Sequence, residues 1–391
     1  MIDGKLLFLG ADDLCSSPGL ILTRNLAAFP LITLHVPPGG IPMRAPRPRR
    51  SPHARAAQRA IMVTEYKIAH YKCPCCLKEV AAKDPSCPQE GKFGNNVIAL
   101  ATVLKYEDRL PHRKIHDAMM RLYRLKISPA TILDLTRRAA DAIQPEYDAI
   151  LRKIRRAPIL YVDETGIRVQ GEMCWIWAFT TPSETFFVIR KSRGMKVLME
   201  VLTRRFKGII VCDGWKPYAR FTNRIQRCWA HLLRESKDIA EKFEEAIPLH
   251  NALKELYDLL TKALENDPPP EVRMTLWELA REALRHWISK EYSIEKVRKF
   301  IGKINNGFEY WFTFIINPGV EPTNNRAERA LRPHVVLRKI LGTLRNDKGT
   351  SIHERIMTTL ATWGQKGTCS ISCGYRFKPI QYCKIINSSS I

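Results

Sequence analysis

The order of apolar and polar positions changes character several times along the chain, and each change marks a segment. Residues 1–60 show no apolar period. Pro37-Pro38-Gly39-Gly40 and Arg44-Ala45-Pro46-Arg47-Pro48-Arg49-Arg50 make them Pro- and Arg-rich. Such a stretch buries too little surface to offset the entropy of ordering it. A disordered or atypical basic leader is predicted there, either an arm on DNA phosphates or a flexible segment without a role. From 94 to 156 the apolar positions recur at helical spacing: Leu100, Val103 and Leu104, then, after Pro111, Ile115, Met119 and Leu122. Ser128-Pro129 reads as an N-cap with Pro at the first helical position, opening a helix to about Ile143. Another helix is expected over 145–155.

The period then shortens. Residues 159–162, 174–180 (with alternating Trp175 and Trp177) and 185–189 are β-prone runs separated by turn-like residues. They predict an antiparallel meander. A helix over 195–206, a strand over 208–212, a short helical piece over 215–221 and a strand over 225–228 follow. The order β-β-β-α-β-α-β is that of a ribonuclease-H-like fold, a mixed sheet with helices on its faces. From 230 to about 314 the pattern is helical, broken at Pro268-Pro269-Pro270. Leu253, Leu256, Leu260 and Leu264 share one face, and Leu276, Leu279, Ala283 and Trp287 another, which reads as core packing. After Pro322 a last helix opens, with Thr323 or Asn324 as its cap.

The expected class is therefore α/β, with a ribonuclease-H-like core, a helical insertion and a helical N-terminal region. The segments are a leader at 1–60, a Cys-bearing stretch at 61–93 and a helical region at 94–156, a candidate for DNA binding. The first part of the core covers 157–229, the insertion 230–320, the final core helix 321–363 and an atypical tail 364–391.

Charge narrows the partners. The chain holds 63 Lys and Arg against 39 Asp and Glu, a net +24, which favours a polyanion. The longest apolar runs, such as 159–162 and 208–212, are too short to span a bilayer. Asp3, Asp12 and Asp13 flank the apolar patch at 6–9, unlike a signal peptide. A cytoplasmic, nucleoid-associated protein is expected, its 11 cysteines being thiols or metal ligands rather than disulfides.

Asp163 and Asp213 each follow an apolar strand-like run and precede a glycine within three positions, in Val162-Asp163-Glu164-Thr165-Gly166 and Cys212-Asp213-Gly214. If their strands are neighbours, the two carboxylates meet at the sheet rim, where they repel unless a cation intervenes. Hard oxygen donors suit Mg²⁺ or Mn²⁺. Glu328 is the third candidate. On a helix it shares a face with Asn324 and Arg332 at spacing four. Arg326, Arg329, Arg338 and Lys339 are nearby candidates for phosphate contact. Two ions held by Asp163, Asp213 and Glu328 would supply an activated water or 3′-hydroxyl and a stabilised leaving oxygen for in-line displacement at phosphorus.

Tyr161 to Gly166, Cys212-Asp213-Gly214, the run from Arg227 to Arg234 and the run from Pro322 to Leu337 strongly resemble the transposases of the insertion-sequence-66 group. The resemblance covers about 70–363. It implies a ribonuclease-H-like domain whose catalytic, metal-binding triad is Asp163, Asp213 and Glu328. It further implies double-stranded DNA as partner (terminal inverted repeats and target) and a homo-oligomer on DNA. Cys228-x-x-His231 resembles a Cys-x-x-His signature found after the second Asp in several insertion-bearing families, implying an auxiliary role for both residues beside Asn324 and Arg332. Two ligands three apart are also half of a zinc site. Cys73-x-x-Cys76 resembles the second half of a zinc ribbon. A ribbon needs four ligands, and Cys15 is the sole Cys upstream, with Cys75, Cys87 and His70 as local substitutes. The function so implied is metal-dependent cleavage and strand transfer at element ends. The alternatives are a nuclease of the same fold that cuts without joining, and an inactive DNA-binding remnant.

Overall fold

The computed structural model describes residues 61–68, 70–81, 91–367 and 380–387. The leader at 1–60, Cys87 and most of the tail beyond 367 lie outside them. The described residues fall into two compact units, those within 61–100, 117–126 and 380–387 in one and those within 101–116 and 127–367 in the other.

In the first unit, β1 (Ile61–Ile68) pairs in parallel with a late strand at Ile380–Asn387. The antiparallel pair β2 (His70–Lys72) and β3 (Glu79–Ala81) carries Cys73, Cys75 and Cys76 in its turn. That turn closes through the Cys73 amide on the Lys78 carbonyl at 2.9 Å.

Helices α1 (Asn95–Tyr106) and α2 (His112–Tyr123) follow, then α3 (Pro129–Ala142) and α4 (Gln144–Ile154). The Ser128 cap is as expected: its Oγ accepts from the Thr131 amide at 3.1 Å. Leu122, expected on a core face, is instead 69% exposed near the end of α2.

The second unit is built on a mixed sheet. β4 (Ile159–Val169), β5 (Glu172–Thr180) and β6 (Thr185–Arg190) form the antiparallel meander. After α5 (Met195–Leu202), β7 (Ile209–Cys212) returns parallel to β4; after α6 (Lys216–Phe221), β8 (Ile225–Arg227) lies parallel to β7. The sheet order is β6-β5-β4-β7-β8, and the chain order β-β-β-α-β-α-β is the one the pattern predicts. α5 stops four residues short of the expected end, at Thr203 with φ +62°. β4 runs seven residues further than expected, because Gly166, Ile167 and Val169 continue the ladder with β5.

Strand alternation sorts the core. Trp177 and Phe179 of β5 and Phe186 and Val188 of β6 face one layer, packed on α4 and α5. Ile176, Ala178, Phe187 and Ile189 face the other, under α3 and the long last helices.

The helical stretch after β8 comprises α7 (Trp229–Ala240), α8 (Ile247–Leu264), α9 (Pro270–Ile288), α10 (Glu295–Asn305) and the short α11 (Thr313–Ile316). They share a core with Trp229, Trp311 and Phe312. On α9 the buried stripe is Arg273, Ala280 and Leu284, so Leu279 lies about 120° away and is 58% exposed.

α12 (Asn325–Leu341), the two-residue β9 (Thr343–Leu344) and α13 (Asp347–Gln365) complete this unit, and the late strand Ile380–Asn387 is β10. Side chains make hydrogen bonds at both outer edges of the sheet. On β6, the amides of Thr185, Phe187 and Ile189 donate to Thr362 Oγ1, Thr358 Oγ1 and Glu354 Oε1 of α13 at 3.1, 2.9 and 2.6 Å. The match is geometric: four helical residues rise about 6 Å, close to two strand residues. On β8, Thr313 Oγ1 donates to the Ile225 carbonyl at 2.6 Å, and Gln226 Oε1 accepts from the Phe314 amide at 2.8 Å.

Candidate active site

The site lies where one edge of β4 runs out of strand partners. On that edge, Ile159–Tyr161 pairs with β7 and Arg168–Val169 with β9. Between them the edge is open, and Asp163 sits in this gap rather than at the strand end. The parallel register matches Tyr161 with Val211. Asp163 and Asp213 lie two residues beyond that pair on their respective chains, so the register brings them side by side where β7 stops. Each carboxylate is held by a local amide. Asp163 Oδ1 accepts from the Glu164 amide at 2.9 Å, and Asp213 Oδ1 from the Trp215 amide at 2.8 Å.

Helix α12 covers the open edge. Asn324 is its N-cap residue, but its side chain does not cap the helix; Nδ2 donates to the Val162 carbonyl at 2.8 Å. Nearly three turns past Glu328, Arg338 Nη1 donates to the Gly166 carbonyl at 2.7 Å and to Thr165 Oγ1 at 3.2 Å. Two α12 side chains thus take carbonyls that a neighbouring strand would otherwise take. Glu328, one turn past Asn324, is thereby brought to the gap.

α7 approaches from the other side. Cys228 is its N-cap residue and His231 lies in its first turn. Cys228 Sγ accepts from the Asn324 amide at 3.1 Å. His231 Nδ1 stands 3.6 Å from Glu328 Oε1. Cys228, His231 and Glu328 each offer a ligand atom within 4.8 Å of the others. Burial pushes the Cys228 thiol up, partly opposed by the Asn324, His231 and Ala230 amides aimed at it.

Burial raises the Asp163 carboxyl to about 7, and the negative charges of Glu164, Asp213 and Glu328 push in the same direction. Asp213 and Glu328 thus act on Asp163 through charge, while the close ligand-distance group among the described residues is Cys228, His231 and Glu328 rather than the three carboxylates.

Glu164 is the residue the motif reading passed over. It shares a strand face with Leu160 and Val162, both fully buried, so alternation sends it into the core. A buried carboxylate needs partners. Arg193 Nε donates to Oε1 at 2.8 Å and Tyr218 Oη to Oε2 at 2.5 Å. Burial raises the Glu164 carboxyl, against those two hydrogen bonds. The Arg193 guanidinium is sandwiched between the Trp175 and Trp215 rings, 4.6 and 4.5 Å from their centroids. Alternation over 160–164 is the sequence signal that could have found this cluster.

The remaining candidates divide. Arg326 is held by Glu321 at 2.6 Å and lies 5.2 Å above the Tyr161 ring. Arg329, Arg332, Arg338 and Lys339 are exposed along α12. Among the described residues no third ligand joins Cys73 and Cys76, and these cysteines lie in the other unit. No helix of the described residues is long and apolar enough to cross a membrane.

Comparison with known proteins adds a family. An uncharacterized protein of Sinorhizobium fredii, y4qI, is 22% identical over 289 residues, covering 64% of this chain and 52% of its own length. The chain thus spans about half the length of the curated relative it matches. A model of the transposase IS66 family matches residues 90–352, a span that holds Asp163, Asp213, Glu328 and the whole mixed sheet. On that match, which takes in more than half of the 391 residues, the chain belongs to the transposase IS66 family.

Proposed function

We propose that this protein is a transposase that cleaves and joins DNA at the ends of an insertion sequence, with Asp163, Asp213 and Glu328 as its catalytic carboxylates. The observation that carries the proposal is the shared register of Asp163 and Asp213 at the open edge of β4, with Glu328 brought there by α12. The strand order and the β-β-β-α-β-α-β sequence of elements support a ribonuclease-H-like core.

The donor set fits a hard divalent cation. It is all oxygen, and the Asp163 carboxyl is pushed up to about 7 by burial and uncompensated negative charge, the condition a cation relieves. Mg²⁺ or Mn²⁺, as two ions held by Asp163, Asp213 and Glu328, would supply nucleophile activation and leaving-group stabilisation. The protein's part is positional. The Glu164 and Trp215 amides fix one oxygen of each aspartate. Asn324 and Arg338 clamp α12 to β4 and set where Glu328 stands. Exposed Arg329, Arg332 and Lys339 present positive charge for a phosphate backbone, and a homo-oligomer holds two DNA ends.

The test is a strand-transfer assay with full-length protein, Mg²⁺ and duplexes ending in the inverted repeats that flank the gene. Wild type should nick and join. Asp163→Asn, Asp213→Asn and Glu328→Gln should each abolish both steps. Cleavage that survives Asp213→Asn or Glu328→Gln removes the triad, and cleavage without joining leaves a nuclease.

A further inference from the structure

We propose that Cys228, His231 and Glu328 form a second metal site, selective for a borderline-soft divalent ion of the Zn²⁺ class and distinct from the oxygen-only site of the two aspartates. The geometry comes first. Cys228 and His231 lie three apart at the start of α7, a spacing that puts both on one helix face. Glu328 meets them from α12, and one ligand atom from each lies within 4.8 Å of the other two. Neither His231 Nδ1 nor Glu328 Oε1 has a hydrogen-bond partner, although both atoms are shielded from solvent. They face each other across 3.6 Å, too far for a good hydrogen bond. Shielded polar atoms are normally paired, so two that converge unpaired beside a sulfur leave a place for a cation.

The chemistry selects the ion. One sulfur, one imidazole nitrogen and one carboxylate oxygen match the ligands of Zn²⁺, whereas Mg²⁺ takes oxygen alone. Coordination would bind Cys228 as the thiolate, its proton passing to solvent. The Asn324 amide at 3.1 Å from Sγ supplies the outer-shell hydrogen bond that orients such a ligand. Three protein ligands leave a fourth tetrahedral position for water. The site shares Glu328 with the proposed catalytic triad but needs neither aspartate. An ion here would hold one Glu328 oxygen at α7, so that soft-metal occupancy and triad assembly draw on the same side chain.

Cobalt reports the site directly. Metal-free full-length protein titrated with Co²⁺ should develop a thiolate-to-cobalt charge-transfer band together with tetrahedral d–d bands, displaced by Zn²⁺. Cys228→Ser should lose the charge-transfer band. Cys228 is buried, so His231→Gln, at a half-exposed position, carries the test independently. With its circular dichroism unchanged, it should bind Co²⁺ more than about tenfold more weakly, the scale on which even outer-shell partners act. The Cys73→Ser/Cys76→Ser protein should keep the band. So should Asp163→Asn, whose loss of cleavage reads the proposed function separately. No thiolate band in wild type, a band that survives His231→Gln at full affinity, or one abolished by Cys73→Ser/Cys76→Ser overturns the assignment.

Discussion

The Asn324 side-chain amide donates to the carbonyl of Val162 at 2.8 Å, one residue before Asp163. A residue placed to cap its own helix instead fastens that helix to the central strand. Asn324 has no exposed surface, so its removal leaves a shielded carbonyl without a donor. Asn324→Ala should cost about 1–3 kcal/mol, read by urea denaturation. Asn324→Asp should cost more, because a carboxylate would face that carbonyl. An aspartate variant as stable as wild type would show that the bond is not holding α12.

Asp163 gives a pH dependence with a defined sign. In the folded chain its carboxyl releases a proton at about 7, against 3.8 for an ordinary aspartate. Between those values the unfolded chain binds fewer protons than the folded one, so the contribution of this group to stability falls as pH rises from about 4 to about 7. Metal-free Asp163→Asn should therefore exceed wild type at pH 8 by about 1–3 kcal/mol, allowing for its partial exposure. The gap should close toward pH 5. Denaturation in EDTA at the two pH values checks it, and an equal gap at both would sink the idea.

Glu164 and Arg193 should behave as one unit. The Glu164 side chain is 1% exposed and Arg193 is its cation. Arg193→Ala strands a buried carboxylate at a cost of about 3 kcal/mol. Glu164→Gln on that background should recover more than half of the loss, since it removes the stranded charge. Simple additivity of the two substitutions in a double-mutant cycle would refute the coupling.

DNA affinity should fall steeply with salt through counterion release. Arg329→Ala and Lys339→Ala, both exposed on α12, should each lower the slope of log affinity against log salt by about one and weaken all sequences alike. Arg326→Ala should leave the slope alone, because that guanidinium is already held by Glu321 and Tyr161. Fluorescence anisotropy across a salt series distinguishes the three.

Much of the sheet was legible because its signals are local. Alternation at Trp175 to Phe179 and the apolar run ahead of Asp213 need no distant partner to be read. The open edge of β4 was not legible. It exists because β7 stops at Cys212 while β4 continues to Val169, and strand ends depend on which neighbour pairs with them. Nothing local in the sequence sets Arg193 apart from other basic residues, and its inward turn follows only once Glu164 is known to be buried. The grouping of Cys228 and His231 with Glu328 joins residues about a hundred positions apart, through a helical stretch whose path no short motif encodes.

The side chains lining β6 and β8 also bear on how this chain meets copies of itself. Glu354, Thr358 and Thr362 occupy alternate amides of β6, and Thr313 takes the Ile225 carbonyl of β8. A strand from a second molecule finds those β6 amides taken and β8 only three residues long and buried, so edge-to-edge addition to this sheet is disfavoured. If copies pair on DNA as proposed, this sheet would leave the joining to other faces or to the nucleic acid itself, contacts that can dissolve once the proposed reaction is over.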